Sequence, residues 1–394
     1  MARHYSIKSF FRQMPNALLE RYFNQKGLFS GVCFSGLKET QTDELFAAWL
    51  YLPEDQRGKL DVELREIFEQ SCKKGFTAIL DEARFHLQGD DLTNFVEALS
   101  ALPNHAHRAM VTLLDYPKLW KGATYFYHAD TLSYWRKRKN MGHKVAAVDE
   151  ASIQRLAGMI RNYFHTIEGR GNNCVVEPFR RGDLDYFFAY PEDYSAQGVE
   201  WVDGAFQHRL HNPAFEVVYV YSQKEGTLDL NYRGSFKLAE PLQTMFAQAI
   251  LKMDQLPPDP RDERVYDLAP LMQRDFDFVH QAGSGIEQVA VKKLRLSSRA
   301  GKKDRITLEA DTERDPEAVY KLMEQIGKSV PLEQYHVTQV ELAVQIAMDA
   351  EKAAKSATVR ITYPNSCSLK YDERDLRLRE MLEISGIEPK EPDE

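Results

Sequence analysis

Five apolar residues, Val340, Leu342, Val344, Ile346 and Met348, alternate strictly with smaller or more polar ones near the end of this chain. A period of two is that of a β-strand with one buried face, because successive side chains point to opposite sides of the sheet. The strand belongs to a larger pattern. Residues 215–253, 286–327 and 337–386 each read as two strands followed by an amphipathic helix, and the last two stretches share the literal match Arg305-Ile306-Thr307 and Arg360-Ile361-Thr362. Repeated ββα units predict antiparallel sheets with helices on one face and the other face exposed. Within residues 286–327 the apolar phase slips at Lys292-Lys293, which predicts a β-bulge there.

The first part of the chain has a different period. Leu60, Leu64, Ile67 and Phe68 form a stripe at helical spacing expected to end near Gly75. Pro15-Asn16 opens an earlier helix that stops at Gly27, and His105 and His107 follow Pro103-Asn104 at another helix start. Residues 1–168 read as helices. The expected fold class is α+β: an N-terminal all-helical domain followed by antiparallel sheets built from repeated ββα units. The expected divisions are a helical domain at 1–169, a strand-rich domain with a closing helix at 170–256, a Pro-rich linker at 257–285, the duplicated ββα domain at 286–386 and an acidic tail at 387–394.

Two clusters of cations stand out in a chain of net charge -8. Lys292, Lys293, Arg295, Arg299, Lys302, Lys303 and Arg305 crowd one hairpin with a single acid, Asp304, among them. They can meet phosphates, or they can protect an edge strand from aggregation. Trp135, Arg136, Lys137, Arg138 and Lys139 follow a run of aromatics that includes Tyr125, Tyr127 and Tyr134. Rings beside cations suit base stacking and backbone contact, and a helix end with buried rings and solvated cations has the same letters. The ββα order resembles the saddle architecture of the TATA-binding protein family in its sequence of elements, which implies nucleic-acid contact through a sheet.

A third cluster, Glu177, Asp183 and Asp185 with Arg180 and Arg181, offers carboxylates for a divalent cation and hence for a metal-dependent nuclease. The same letters suit an Arg-Gly-Asp turn whose charges pair with each other. Cys174 with His165 or His211 is a further nucleophile candidate without a supporting motif. No Gly-x-x-x-x-Gly-Lys loop, Gly-x-Ser-x-Gly elbow or His-Glu-x-x-His pair occurs, and no cofactor is expected. No apolar run approaches the ~18 to 20 residues that cross a bilayer, and the first residues lack the apolar core of a signal peptide. The expectation is a cytoplasmic, non-catalytic, nucleic-acid-associated accessory or regulatory protein without a membrane partner. The alternatives are the metal-dependent nuclease and a scaffold that docks a protein partner on its helical domain.

Overall fold

The computed structural model describes residues 4–39, 42–202, 204–257, 265–300, 304–347 and 354–388. The chain divides into two compact units, Met1–Thr131 and Leu132–Glu394. An α+β architecture is observed, with helices concentrated in the first unit and a large antiparallel sheet in the second.

Helices α1 (Ile7–Gln13), α2 (Asn16–Gln25), α3 (Asp43–Leu50), α4 (Glu54–Gln70), α5 (Lys73–His86), α6 (Gly89–Ser100), α7 (His105–Asp115) and α8 (Pro117–Ala129) make up the first unit. Prolines sit where a missing N–H costs nothing, with Pro15 and Pro53 as N-caps and Pro117 in the first turn. Asn104 caps α7 by accepting a hydrogen bond from the His107 N–H, so the two histidines open a helix. Leu60, Leu64, Ile67 and Phe68 are all buried on α4. That helix stops at Gln70, earlier than Gly75, which instead lies in the first turn of α5. A side chain at Gly75 would place Cβ 2.0 Å from the Gln70 carbonyl oxygen, so the tight turn between the helices requires glycine.

The second unit begins with strand β1 (Trp135–Arg138) and helix α9 (Glu150–Glu168), whose N-cap Asp149 accepts from the Ser152 N–H and whose C-cap is Gly169 at φ +68°. Residues 135–138 therefore depart from the helix expected across 1–168. Their three consecutive cations offer no helical stripe, and two neighbouring strands supply the ladder. Next come β2 (Cys174–Arg181), β3 (Leu184–Pro191), β4 (Ala196–Val202), β5 (Ala205–His211), β6 (Val217–Ser222), β7 (Thr227–Tyr232) and α10 (Ala239–Ala249). The remaining elements are β8 (Ile286–Ser298), β9 (Arg305–Glu309), α11 (Ala318–Gly327), β10 (Tyr335–Ile346), β11 (Lys355–Thr362), β12 (Ser366–Cys367) and α12 (Glu373–Ile384).

Ten strands join one antiparallel sheet in the order β2-β3-β6-β7-β1-β12-β11-β10-β8-β9, while β4 and β5 pair only with each other. Two cores lie along this sheet. One gathers Tyr219, Tyr221, Leu228 and Leu230 against Leu156 of α9 and Phe246 of α10. The other gathers Leu294, Leu342 and Val359 against Val319 of α11 and Leu378 of α12. Val340, Leu342, Val344 and Ile346 are buried on β10 as the alternation requires, and Met348 lies outside the described residues. The ladder between β8 and β10 shifts register between Lys293 and Val291, where the phase slip predicts a bulge.

Two segments expected to be peripheral enter the second core. Val265, Tyr266, Leu268 and Leu271, within the stretch read as a linker, are all buried. Ile387 and Glu388, at the start of the stretch read as a tail, are buried as well.

Candidate nucleic-acid interface

Strand alternation sends Leu294 and Leu296 of β8 into the core and turns Lys293, Arg295 and Ser297 to the opposite face. Register then sets two polar rows across four strands. Glu309, Lys293, Glu341 and Arg360 form one row, and Thr307, Arg295, Gln339 and Thr362 form the next. The threonines of the two Arg-Ile-Thr matches thus stand in one row. The charged row is internally neutralised: Lys293 Nζ lies 2.9 Å from Glu309 and 3.8 Å from Glu341, and Arg360 Nε lies 2.8 Å from the same Glu341. Lys293 holds Glu309 below the usual carboxylate range by hydrogen bond and charge.

Other hairpin cations have no such partner. Among the described residues no carboxylate lies within ion-pair distance of Lys292, Arg295, Arg299 or Arg305. Arg299 donates from Nε to the Tyr335 carbonyl at 3.2 Å, Arg305 is exposed on the outermost strand, and Arg295 Nε is buried without a hydrogen-bond partner. Lys302 and Lys303 lie outside the described residues. Exposed Tyr134, whose hydroxyl accepts from Arg360 at 3.3 Å, and the His336–Tyr363 ring pair border the same part of the sheet. Gln339, Thr362, Tyr363 and His336 carried no charge signal in the sequence, and only cross-strand register brings them beside the hairpin.

The second cationic cluster lies elsewhere. Trp135 is buried with its ring 5.7 Å from Tyr371, and Arg136 stacks 5.0 Å from Phe236. Lys137 is buried and donates to Glu388 Oε1 at 2.6 Å, while Arg138 donates to Gln243 at 3.3 Å and to the Pro257 carbonyl at 2.7 Å. Lys139 is partly exposed, and its charge helps keep Glu388 anionic. Residues 135–138, expected on an aromatic and basic helical surface, instead form an interior strand in which Lys137 and Arg138 bond to internal groups and Arg136 lies against the Phe236 ring.

The carboxylates do not converge. Glu177 stands opposite Phe188, three residues along β2 from Arg180, which stands opposite Asp185. At ~3.3 Å per residue that is roughly 10 Å along the strand, beyond the reach of two carboxylates sharing one hard cation. Asp183 is exposed in the turn and Asp185 is buried. Burial raises the Asp185 carboxyl, and Arg180 at 3.8 Å opposes that rise. Among the described residues no three His, Cys, Asp or Glu side chains are placed to hold a metal ion. Beside this turn lies an open cavity of ≈ 410 Å³ lined by His143, Arg180, Asp183, Gln223 and Lys224. His143 Nδ1 donates to the Gln223 carbonyl at 2.8 Å, and Gln223 Nε2 donates back to the His143 carbonyl at 3.1 Å. Eighty positions separate these two residues, so sequence spacing carried no trace of the cavity.

All four cysteines are free. Burial pushes the Cys174 thiol up to about 12 and the Cys367 thiol up to about 11, so neither presents a thiolate nucleophile near neutrality. A thiol-reactive aromatic disulfide in mild alkali is expected to label exposed Cys33 rapidly, half-buried Cys174 far more slowly, and buried Cys367 only after unfolding. Rapid labelling of Cys174 in the folded protein would contradict this.

No protein-family model, curated protein or solved structure matches the chain, and the resemblance to the TATA-binding protein saddle rests on element order alone. No helix among the described residues is long and apolar enough to cross a membrane.

Proposed function

We propose that this protein is a non-catalytic, nucleic-acid-associated accessory or regulatory protein of the cytoplasm whose contact surface is the β8–β9 edge of the sheet. The observation that carries the reading is the gathering, at one edge of an otherwise acidic chain, of Lys292, Arg295, Arg299 and Arg305, none of which has a carboxylate at ion-pair distance among the described residues. Cations left unneutralised at an edge create a local positive field that net charge does not describe, since charge is sensed over ~8 to 10 Å. The polar row of Thr307, Arg295, Gln339 and Thr362 adds hydrogen-bonding groups, and Tyr134 and Tyr363 add exposed rings.

Binding to duplex DNA or RNA should fall with salt, with a log–log slope near about -3.6 if four phosphates are contacted on DNA. Replacing Lys292 and Arg305 together by Ala should flatten the slope by about 0.9 per lost contact while folding stability stays within about 0.5 kcal/mol per site. Fluorescence anisotropy across a salt series, paired with thermal melts, reads both quantities. If wild-type protein shows no salt-sensitive binding to any nucleic acid, the proposal fails. Exposed Leu50 and Tyr51 on the helical unit would then favour the scaffold reading, with a protein partner docking there.

A further inference from the structure

Strands β4 and β5 form a two-stranded arm between β3 and β6, and among the described residues each strand keeps one unpaired edge. Register places Gln197, Val199 and Trp201 of β4 on the same face as Leu210, His208 and Phe206 of β5. That face is open to solvent: Val199 is 62%, Trp201 68%, Phe206 54% and Leu210 73% exposed. Acidic and basic side chains are kept to the other face, where Glu200 and Arg209 pair at 3.5 Å. Two isolated strands are marginally stable in water, so a solvated row of Val, Trp, Phe and Leu on such an arm calls for a cover.

The root of the arm is rigid. Arg170 stacks 3.9 Å from the Phe215 ring and 5.3 Å from Tyr194, and its guanidinium binds Glu168 at 2.7 Å and Asp193 at 2.6 Å. Tyr194 also donates to the Glu168 carbonyl at 2.6 Å, tying the base of β4 to the end of α9. A fixed root presents the apolar face at a defined angle, which suits docking.

We infer that the cover is the same arm of a second copy of this chain, packed face to face about a twofold axis. The face carries no Lys, Arg, Asp or Glu, so His208 is its one ionisable side chain and neutral copies meet without like-charge repulsion. An antiparallel pairing sets the tip rings, Trp201 and Phe206, over the smaller Val199 and Leu210 near the partner's base, and the contact repeats itself by symmetry. The four side chains offer roughly 500 Å² of apolar surface per chain, so a pair buries about 1,000 Å², the lower limit for a specific interface. An interface of that size is expected to form a reversible rather than an obligate dimer.

Tryptophan fluorescence isolates the arm, because Trp49, Trp120 and Trp135 are buried and Trp201 is not. Sedimentation of the full chain should show a concentration-dependent dimer, and acrylamide quenching of Trp201 should fall over the same range. Trp201→Ser with Leu210→Ser should weaken association by roughly 100-fold or more while thermal melts and nucleic-acid affinity of the monomer stay unchanged. Three results overturn the inference: a chain that stays monomeric at high concentration with Trp201 fully quenchable, a dimer indifferent to the double substitution, or protection of Trp201 only when zwitterionic or anionic lipid vesicles are added.

Discussion

Replacing Lys137 by Met is expected to destabilise the second unit by about 3 to 5 kcal/mol, because it leaves buried carboxylates without their cation. Lys137 projects from β1 between Asp229 of β7 and Glu388, which follows α12, and all three are buried. Arg379 supplies the second cation, donating to the Leu369 carbonyl at 2.8 Å and lying 4.5 Å from the Tyr371 ring, while the Tyr371 hydroxyl donates to Asp229. The cluster sits where β1 and β12 join the two halves of the sheet. Chemical denaturation of Lys137→Met against wild type measures the loss. The double variant Lys137→Met with Glu388→Gln should recover much of it, since removing both charges is far less costly than stranding one. A single variant as stable as wild type would show that the pair is not formed.

Protonation reports on the same cluster. Burial alone would raise Glu388, but Lys137 and Arg379 outweigh it and hold the carboxyl below its usual value of 4.5. The stability this contributes is complete above the unfolded-state value and is lost as pH falls through the depressed folded value. Asp229 has the opposite sign: burial raises its carboxyl against the pull of Lys137 and Arg379, so its contribution favours the folded state on acidification. Subtracting the Glu388→Gln stability curve from that of wild type isolates the first effect. The difference should be flat near neutrality and shrink below about pH 4.5.

Gly285→Ala is the second large loss expected, about 3 kcal/mol or more. Gly285 has φ +77° at the entry to β8, a conformation that costs a side chain roughly 1 to 3 kcal/mol. An added Cβ would also fall 1.9 Å from the Ala347 carbonyl oxygen, a backbone atom held in place because the Ala347 N–H donates to the Gly285 carbonyl at 2.7 Å. Relief requires β8 and β10 to separate at this end of their ladder. At a unit of this size each kcal/mol is worth roughly 2 to 4 °C, so a midpoint lowered by about 6 °C or more is expected in a thermal melt, and an unchanged midpoint would refute the packing described.

Local pattern carried the elements it encodes directly. The alternation from Val340 to Ile346 gives β10 because a period of two has only one way to bury its apolar residues, and the slip at Lys292-Lys293 marks the bulge for the same reason. Helix starts at Asn16 and His105 were legible from Pro15 and Asn104, whose effects reach no farther than one turn. The stretch from Trp135 to Arg138 misled because four residues are too few to show a period, and its strand state is set by ladders to β7 and β12.

The sequence by itself determined which residues carry charge, where the strands with a clear period and most helices run, and that two cationic clusters coexist with a net charge of -8. Only the tertiary structure decided what each cation does. Lys137 is buried against a carboxylate 251 positions away, Lys293 is neutralised across neighbouring strands, and Lys292, Arg295, Arg299 and Arg305 have no carboxylate at ion-pair distance among the described residues. Charge belongs to a side chain, but its exposure and pairing depend on which distant strands the sheet places beside it, and that order is set by the packing of the whole unit.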